Sequence, residues 1–194
     1  MAPRPYNLGA RAASVEETKR KIVSAATEEL ADKGIDGSSM SSIARRADVA
    51  PGTVHYHFDS MEALVTAVVG SWVDEIGMPD PAVVDPAAPL GDRVRALVAT
   101  LFDTYDRSEW AYEIWRQNPD HPAYVAASES FYGTVGQMMA MTAGELAGDP
   151  TVMQVLSVLS DPGFRGTLLS RGMTSEQAID VATELGVAWL ESRS

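Results

Sequence analysis

The sequence predicts an all-α protein: an amino-terminal three-helix domain containing a helix-turn-helix, followed by a larger antiparallel helical domain. Three observations carry that prediction. Apolar residues recur at helical spacing in successive segments from Ile22 to Trp189. Capping patterns head several segments, at Ser14–Glu17, Asp59–Glu62 and Thr174–Gln177, and glycines close them, at Gly34, Gly77, Gly148 and Gly172. No stretch alternates convincingly as a strand, and no segment repeats.

Residues 1–13 read as a flexible arm carrying Arg4 and Arg11. The first helix is expected from Ser14 to Lys33. Its stripe is Ile22, Ala26 and Leu30, flanked by Val23 and Ala25, and Lys19, Arg20 and Lys21 cluster near its start.

The next segment, residues 39–58, organises the chain. Ser39 can cap a short helix, because its hydroxyl would accept from one of the unpaired first-turn N–H groups. Met40, Ile43, Ala44 and Ala47 give that helix one apolar face. Asp48 occupies a tight turn and Val49 plugs the corner. Pro51 suits the first turn of a second short helix, where a missing N–H costs nothing. Val54 and Phe58, four apart, point back to the core. Gly52, Thr53, His55, Tyr56 and His57 are left on the outer side. Such a pair is the layout of a helix-turn-helix, whose second helix enters the major groove of DNA. A plain helical corner shares the same pattern.

A fourth helix starts at Asp59–Glu62, turns Leu64, Val65, Val68, Trp72 and Ile76 inward, and ends at Gly77. Residues 78–89 hold four prolines and read as a loop. Leu90, Val94, Leu97, Val98, Leu101 and Tyr105 then mark a helix to Arg107, with Phe102 widening its stripe. Ser108 reads as the cap of a separate helix through Gln117. After the break at Asn118–Pro122, a long helix is expected from Ala123 to Leu146, stopped by Gly148. Its inner side is Phe131, Val135, Met138, Met139 and Thr142. Asp149-Pro150 and Asp161-Pro162 open two more. Thr174 caps a last helix, to about Ser192, with a stripe of Ala178, Val181, Ala182, Leu185 and Trp189. Ile179, Val187 and Leu190 lie off that stripe, so a second neighbour is needed. A second copy of the chain is a natural one, with Ala182, Gly186 and Ala188 small enough to admit it.

The 194 residues are 45% hydrophobic and 22% charged, ordinary for a globular chain with a core of its own. The absence of cysteine excludes disulfides and thiolate metal sites and suits a reducing cytoplasm. No signal peptide or membrane-spanning stretch is expected. The net charge of −12 is unevenly spread: residues 1–60 hold eight basic and eight acidic side chains, residues 61–194 seven and nineteen. The amino-terminal part is therefore neutral and the remainder acidic. That division fits a head that alone meets phosphate, and equally an acidic surface serving solubility.

The chemistry inventory contains no catalytic arrangement, no metal site and no cofactor motif. His55 and His57 are two apart on a helix and diverge. His121 sits alone in a break, and Glu109 and Glu113 share an ordinary solvated helix face. Phosphate-loop, nucleophile-elbow and zinc-protease motifs are absent. The one opening toward a ligand is the set Phe102, Tyr105, Trp110, Trp115, Phe131, Met138 and Met139. It comes from three helices that could converge on an apolar cavity or simply form core.

The segment resembles the DNA-binding domain of TetR-family transcriptional regulators. The matching residues are Ser39, Ile43, Ala44, Ala47, Val49 and Pro51-Gly52-Thr53-Val54-His55-Tyr56-His57-Phe58, continued by Glu62-Ala63-Leu64 and preceded by Gly34-Ile35. The resemblance is specific over about residues 15–70 and architectural beyond. Met61 stands where the family usually has lysine, Asp48 where glycine is usual, and Ala50 where serine is usual. The resemblance implies three parts: an arm (1–13), a DNA-binding domain (14–60) and a helical effector-binding and dimerisation domain (61–194). It implies a cytoplasmic homodimer, with no membrane partner, that binds a pseudo-palindromic operator in double-stranded DNA and acts as a repressor released by a small apolar or amphipathic effector. DNA would be met by Ser39, Arg45, Gly52, Thr53, His55, Tyr56 and His57, with a cation of the 19–21 cluster near phosphate; apart from the resemblance, Arg4 and Arg11 could follow a minor groove, a loose tail being the preferred reading of the arm. The aromatic–methionine set would line the effector pocket. The competing expectations are a helical adaptor without DNA binding and a small helical enzyme.

Overall fold

Nine α-helices account for the fold among the described residues. The computed structural model describes residues 8–193, and the side chains of all of these except residues 8–11, Glu109, Trp110, Tyr112, Glu113, Trp115 and Arg116. The helices are α1 (Leu8–Lys33), α2 (Met40–Arg46), α3 (Pro51–His57), α4 (Met61–Ile76), α5 (Leu90–Gln117), α6 (Pro122–Ala143), α7 (Pro150–Leu159), α8 (Pro162–Ser170) and α9 (Ser175–Glu191). The all-α expectation holds. The described residues fall into two compact units. One takes in the chain up to Glu75 together with Trp110–Ala127; the other takes in Ile76–Glu109 and the chain from Ser128 onward.

In the first unit α1 buries Ile22, Ala26 and Leu30. It begins at Leu8, not at Ser14. Ala10, Ala12 and Ala13 favour the helix, and Ser14 becomes an interior residue whose carbonyl accepts from the Thr18 hydroxyl at 2.8 Å. Residues 1–7 of the expected arm, Arg4 among them, lie outside the described residues, as does the side chain of Arg11. Gly34, at φ +69°, closes α1 with its N–H on Leu30 O. Ser60 starts α4 by accepting from the Ala63 N–H at 3.1 Å, and Gly77, at φ +74°, follows its end. Trp72 donates from Nε1 to Thr27 Oγ1 at 3.3 Å. It also stacks on Tyr124, with ring centroids 5.9 Å apart, and His121 meets the Tyr124 ring edge-on at 5.4 Å. Tyr124 is 2% exposed, and its hydroxyl has no hydrogen-bond partner among the described residues.

The second unit is built around Val94, Leu97, Val98, Leu101, Phe102, Val135, Met138, Val152, Leu156 and Leu190. Four expectations change here. No break occurs at Ser108, which lies inside α5. Apolar spacing continues on both sides of it, and one serine within a helix costs only a few tenths of a kcal/mol, about 0.5. The long helix α6 ends at Ala143. Gly144, at φ +60°, diverts the chain into a 3₁₀ turn through Gly148. The buried face of α9 is Ala178, Ala182, Gly186 and Leu190, and Leu185 is half exposed. Gly186 sets that face, because a Cβ there would lie 2.9 Å from Val94 Cγ1 and 3.3 Å from Leu159 Cδ1. Ala182 and Gly186 thus serve packing within the chain rather than the approach of a second copy. Only Ala188 of the three small residues stays exposed.

The remaining boundaries agree with the proline and capping signals. Asp149 and Asp161 cap α7 and α8, each followed by proline in the first turn. Thr174 and Gln177 form a reciprocal capping box on α9. Arg95 pairs with Asp180 at 2.6 Å and also with Glu176, tying α5 to α9. No helix among the described residues is long and apolar enough to cross a membrane.

Candidate nucleic-acid interface

The α2–turn–α3 unit is fixed almost entirely by local chemistry. Ser39 accepts from the Ser42 N–H at 3.1 Å while Ser42 Oγ accepts from the Ser39 N–H at 3.0 Å. This reciprocal capping box is made with serine in place of the usual glutamate. Ile43, Ala44 and Ala47 are buried. Asp48 adopts φ +52°, the left-handed conformation that aspartate tolerates better than most residues. The Val49 N–H then reaches back to Ala44 O at 3.0 Å, closing the corner. Pro51 occupies the first turn of α3, and Ala50 before it supplies no side-chain cap.

α3 is only seven residues long, and burial divides its sides cleanly. Val54 and the following Phe58 are inside, at 0% and 5% exposure, whereas Tyr56 is 76% exposed. Gly52 and His55 are exposed, and Thr53 and His57 are half-buried beside them. The His57 ring stands edge-on to Tyr56, with centroids 5.2 Å apart, which steadies the tyrosine ring as it projects. A Cβ at Gly52 would meet nothing within 4 Å, so the protein itself does not require glycine there. The bare backbone suits the approach of a surface from outside.

The cations of this unit divide in two. Arg46 is clamped onto α1: its Nε lies 2.8 Å from Glu29, its Nη2 2.5 Å from Asp32 and its Nη1 3.5 Å from Glu28. The Asp32 hydrogen bond, with support from Glu29 and Glu28, pushes the guanidinium pKa above its usual value. Glu29 is 2% exposed and also accepts from Lys33 Nζ at 2.6 Å. The hydrogen bond from Lys33 holds its carboxyl below the ordinary glutamate value, with Ser42 and Arg46 acting in the same direction against the cost of burial. Arg45, by contrast, is exposed and has no ion pair among the described residues. Sequence reasoning missed Glu29 as a junction. The signal was available, since Glu29 falls seven residues after Ile22 on the apolar side of α1.

Ser39, Arg45, Gly52, Thr53, His55, Tyr56 and His57 are therefore all carried by one short helix pair, with the Ser39 hydroxyl already engaged in capping. Of the expected effector set, Phe102, Met138 and Met139 are buried in the core of the second unit. Tyr105 and Phe131 pack against that core with their rings 6.3 Å apart. The side chains of Trp110 and Trp115 lie outside the described residues.

Comparison with known proteins gives a consistent result. The family model for bacterial regulatory proteins of the tetR family matches residues 22–68. The chain is 28% identical over 192 residues to the HTH-type transcriptional regulator SrpR of Pseudomonas putida, spanning 92% of this chain and 86% of SrpR. Over 89 residues it is 35% identical to the HTH-type transcriptional regulator BetI of Rhizobium meliloti (strain 1021), spanning 45% of this chain and 44% of BetI. Among solved structures it resembles the multidrug binding protein EbrR complexed with imidazole, at 26% identity, a TM-score of 0.59, and coverage of 95% and 97% of the two chains. It also resembles a TetR-family member from Streptomyces coelicolor A3, at 27% identity, a TM-score of 0.60, and coverage of 87% and 98%. Residues 22–68 thus match the DNA-binding segment of the tetR family, and the chain as a whole is similar to helix-turn-helix transcriptional regulators of that family.

Proposed function

We propose that the protein is a homodimeric repressor whose paired heads read a pseudo-palindromic operator and whose helical body releases DNA when it binds a small apolar or amphipathic effector. Functionally, residues 14–60 read DNA and residues 61–194 carry effector binding and dimerisation. Tyr56 and Thr53 contact base edges and methyl groups. His57 and the Gly52 N–H hold phosphate, and Ser39, Arg45 and His55 complete the contact surface. Phosphate contacts set register and base contacts specify sequence. The observation that carries this reading is the exposed Tyr56 on a helix whose opposite side, Val54 and Phe58, is locked into the core. The half-exposed Val158 and Leu185, on α7 and α9 of the second unit, support an association face in the body.

For the effector, support comes from the apolar cluster of Phe102, Tyr105, Phe131, Met138 and Met139, and from the resemblance to a protein described as multidrug binding. Trp110 and Trp115, which the sequence adds to this set, fall in the first unit. The effector shifts the balance only by binding the released state more tightly than the DNA-bound one. Footprinting on the promoters of this gene and its neighbours tests the DNA reading. A protected inverted repeat at low salt, lost in Tyr56→Ala, is the expected result. The absence of such a repeat, or protection that ignores the substitution, refutes it. An operator affinity indifferent to every compound that binds the body refutes the release mechanism.

A further inference from the structure

A groove in the second unit borders the same apolar core as the proposed effector set but has a lining of its own. It has a volume of about 450 Å³, within the range of small-molecule sites, and its walls include Leu90, Arg93, Ala143, Glu145, Leu146 and Leu190. None of the expected effector residues lines it.

Arg93 is its unusual member. Arg46, Arg95, Arg107 and Arg165 each face at least one carboxylate within 4.0 Å. Arg93 faces none among the described residues, in a chain with twelve surplus negative charges. Its Nη1 donates to Met141 O at 3.3 Å, and its Nε is buried without a hydrogen-bond partner among the described residues. The fold makes room for this cation. Gly144, at φ +60°, turns the backbone there, and a Cβ at that position would lie 2.9 Å from Arg93 Nη1. Its Nε–H is a buried donor without a partner and the guanidinium is only partly exposed, so an anion at its fork would offset part of its desolvation. Its planar fork matches a carboxylate with two parallel hydrogen bonds. The hydrocarbon on Leu90, Ala143, Leu146 and Leu190 offers cover for an apolar tail.

We propose that this groove is a binding site for a small amphipathic carboxylate, with the charged end on Arg93 and the chain along Leu90, Leu146 and Leu190. Glu145 is the acidic group at the site, and it opposes the anion from the rim. The proposal is separable from the effector reading, since it uses none of the expected effector residues and adds a charged anchor.

The test uses the full chain and octanoate as probe, followed by isothermal titration calorimetry. The expected result is saturable binding of octanoate, at least tenfold weaker binding of 1-octanol, and at least tenfold loss in Arg93→Gln. Leu146→Trp fills the groove while leaving Arg93 in place. It gives the same loss and keeps the test decisive if Arg93→Gln does not fold. Glu145→Gln binds octanoate several-fold more tightly. Octanoate binding that survives both Arg93→Gln and Leu146→Trp overturns the proposal, as does failure of the wild-type chain to bind octanoate at millimolar concentration. A loss in Phe131→Ala with Leu146→Trp unaffected places the probe in the other cluster and also overturns it.

Discussion

Replacing Tyr124 by phenylalanine should make the protein more stable. The Tyr124 ring is 2% exposed, stacked on Trp72 and edged by His121, and its hydroxyl finds no partner among the described residues. Burying an unsatisfied hydroxyl costs about 1–3 kcal/mol. Deleting one oxygen leaves a void of roughly 10–15 Å³, which at about 24 cal/mol per Å³ costs about 0.3 kcal/mol. The balance favours Tyr124→Phe by about 1 kcal/mol. With a urea slope of about 1–3 kcal/mol per M, the midpoint should rise by roughly 0.3–1 M. The pH dependence supplies a second signature. Burial pushes the Tyr124 phenol up to about 12, from 10 for the free group. An acid whose folded pKa is raised contributes fully below the unfolded value and loses that contribution as pH climbs to the folded one. Wild-type stability should therefore fall between pH 10 and 12 by up to about 2–3 kcal/mol from this group alone, and the phenylalanine variant should lack that fall. Urea melts followed by tryptophan fluorescence, at pH 7 and at steps from 9 to 11.5, measure both. A variant less stable than wild type at pH 7, or one whose stability runs parallel to wild type across the alkaline range, refutes the reasoning.

Two further predictions concern other parts of the chain. Arg45→Ala should weaken operator binding and reduce the salt slope by about one per head, because it removes a cation that has no ion pair among the described residues. Arg46→Ala should leave that slope unchanged and lower the thermal midpoint, because its charge is spent on Glu28, Glu29 and Asp32; the reverse pattern in salt-dependent binding would show the assignment inverted. Gly186→Ala should destabilise the second unit by about 1–2 kcal/mol by crowding Val94, despite the better helix propensity of alanine. Val94→Ala in the same chain should recover part of that loss, and a fully additive double variant would sever the two positions.

What was legible in the sequence was local. The corner at Asp48, the serine cap at position 39 and proline in the first turn of α3 depend on neighbours within four residues, and each behaves as its chemistry dictates. The burial of Val54 and Phe58 followed from spacing alone. What was not legible depends on partners far along the chain. The fate of Arg46 is decided by acids 14 to 18 positions earlier, beyond the reach of any local pattern. The inward side of α9 departs from the apolar stripe because glycine adds nothing to an apolar count, yet a Cβ at Gly186 would crowd Val94 of α5. Ser108 and Ser14 misled for the opposite reason: a residue suited to starting a helix is also tolerated within one. The groove at Arg93 needed three dimensions, since its walls come from segments 90, 143 and 190.

Asp48 has a consequence of its own. Its carboxylate is almost wholly solvated, 4.0 Å from Lys21, beside the recognition helix. Two properties coincide in this side chain: a tolerance for positive φ, and a fixed negative charge close to where a polyanion must dock. Asparagine shares the first and lacks the second. One amide-for-acid exchange could therefore raise the grip of each head on any duplex, matched or not, while the hinge keeps its shape. Selectivity among sequences, which the proposed reading assigns to Tyr56 and Thr53, would be left as it was, so general adhesion and discrimination can drift separately in this molecule.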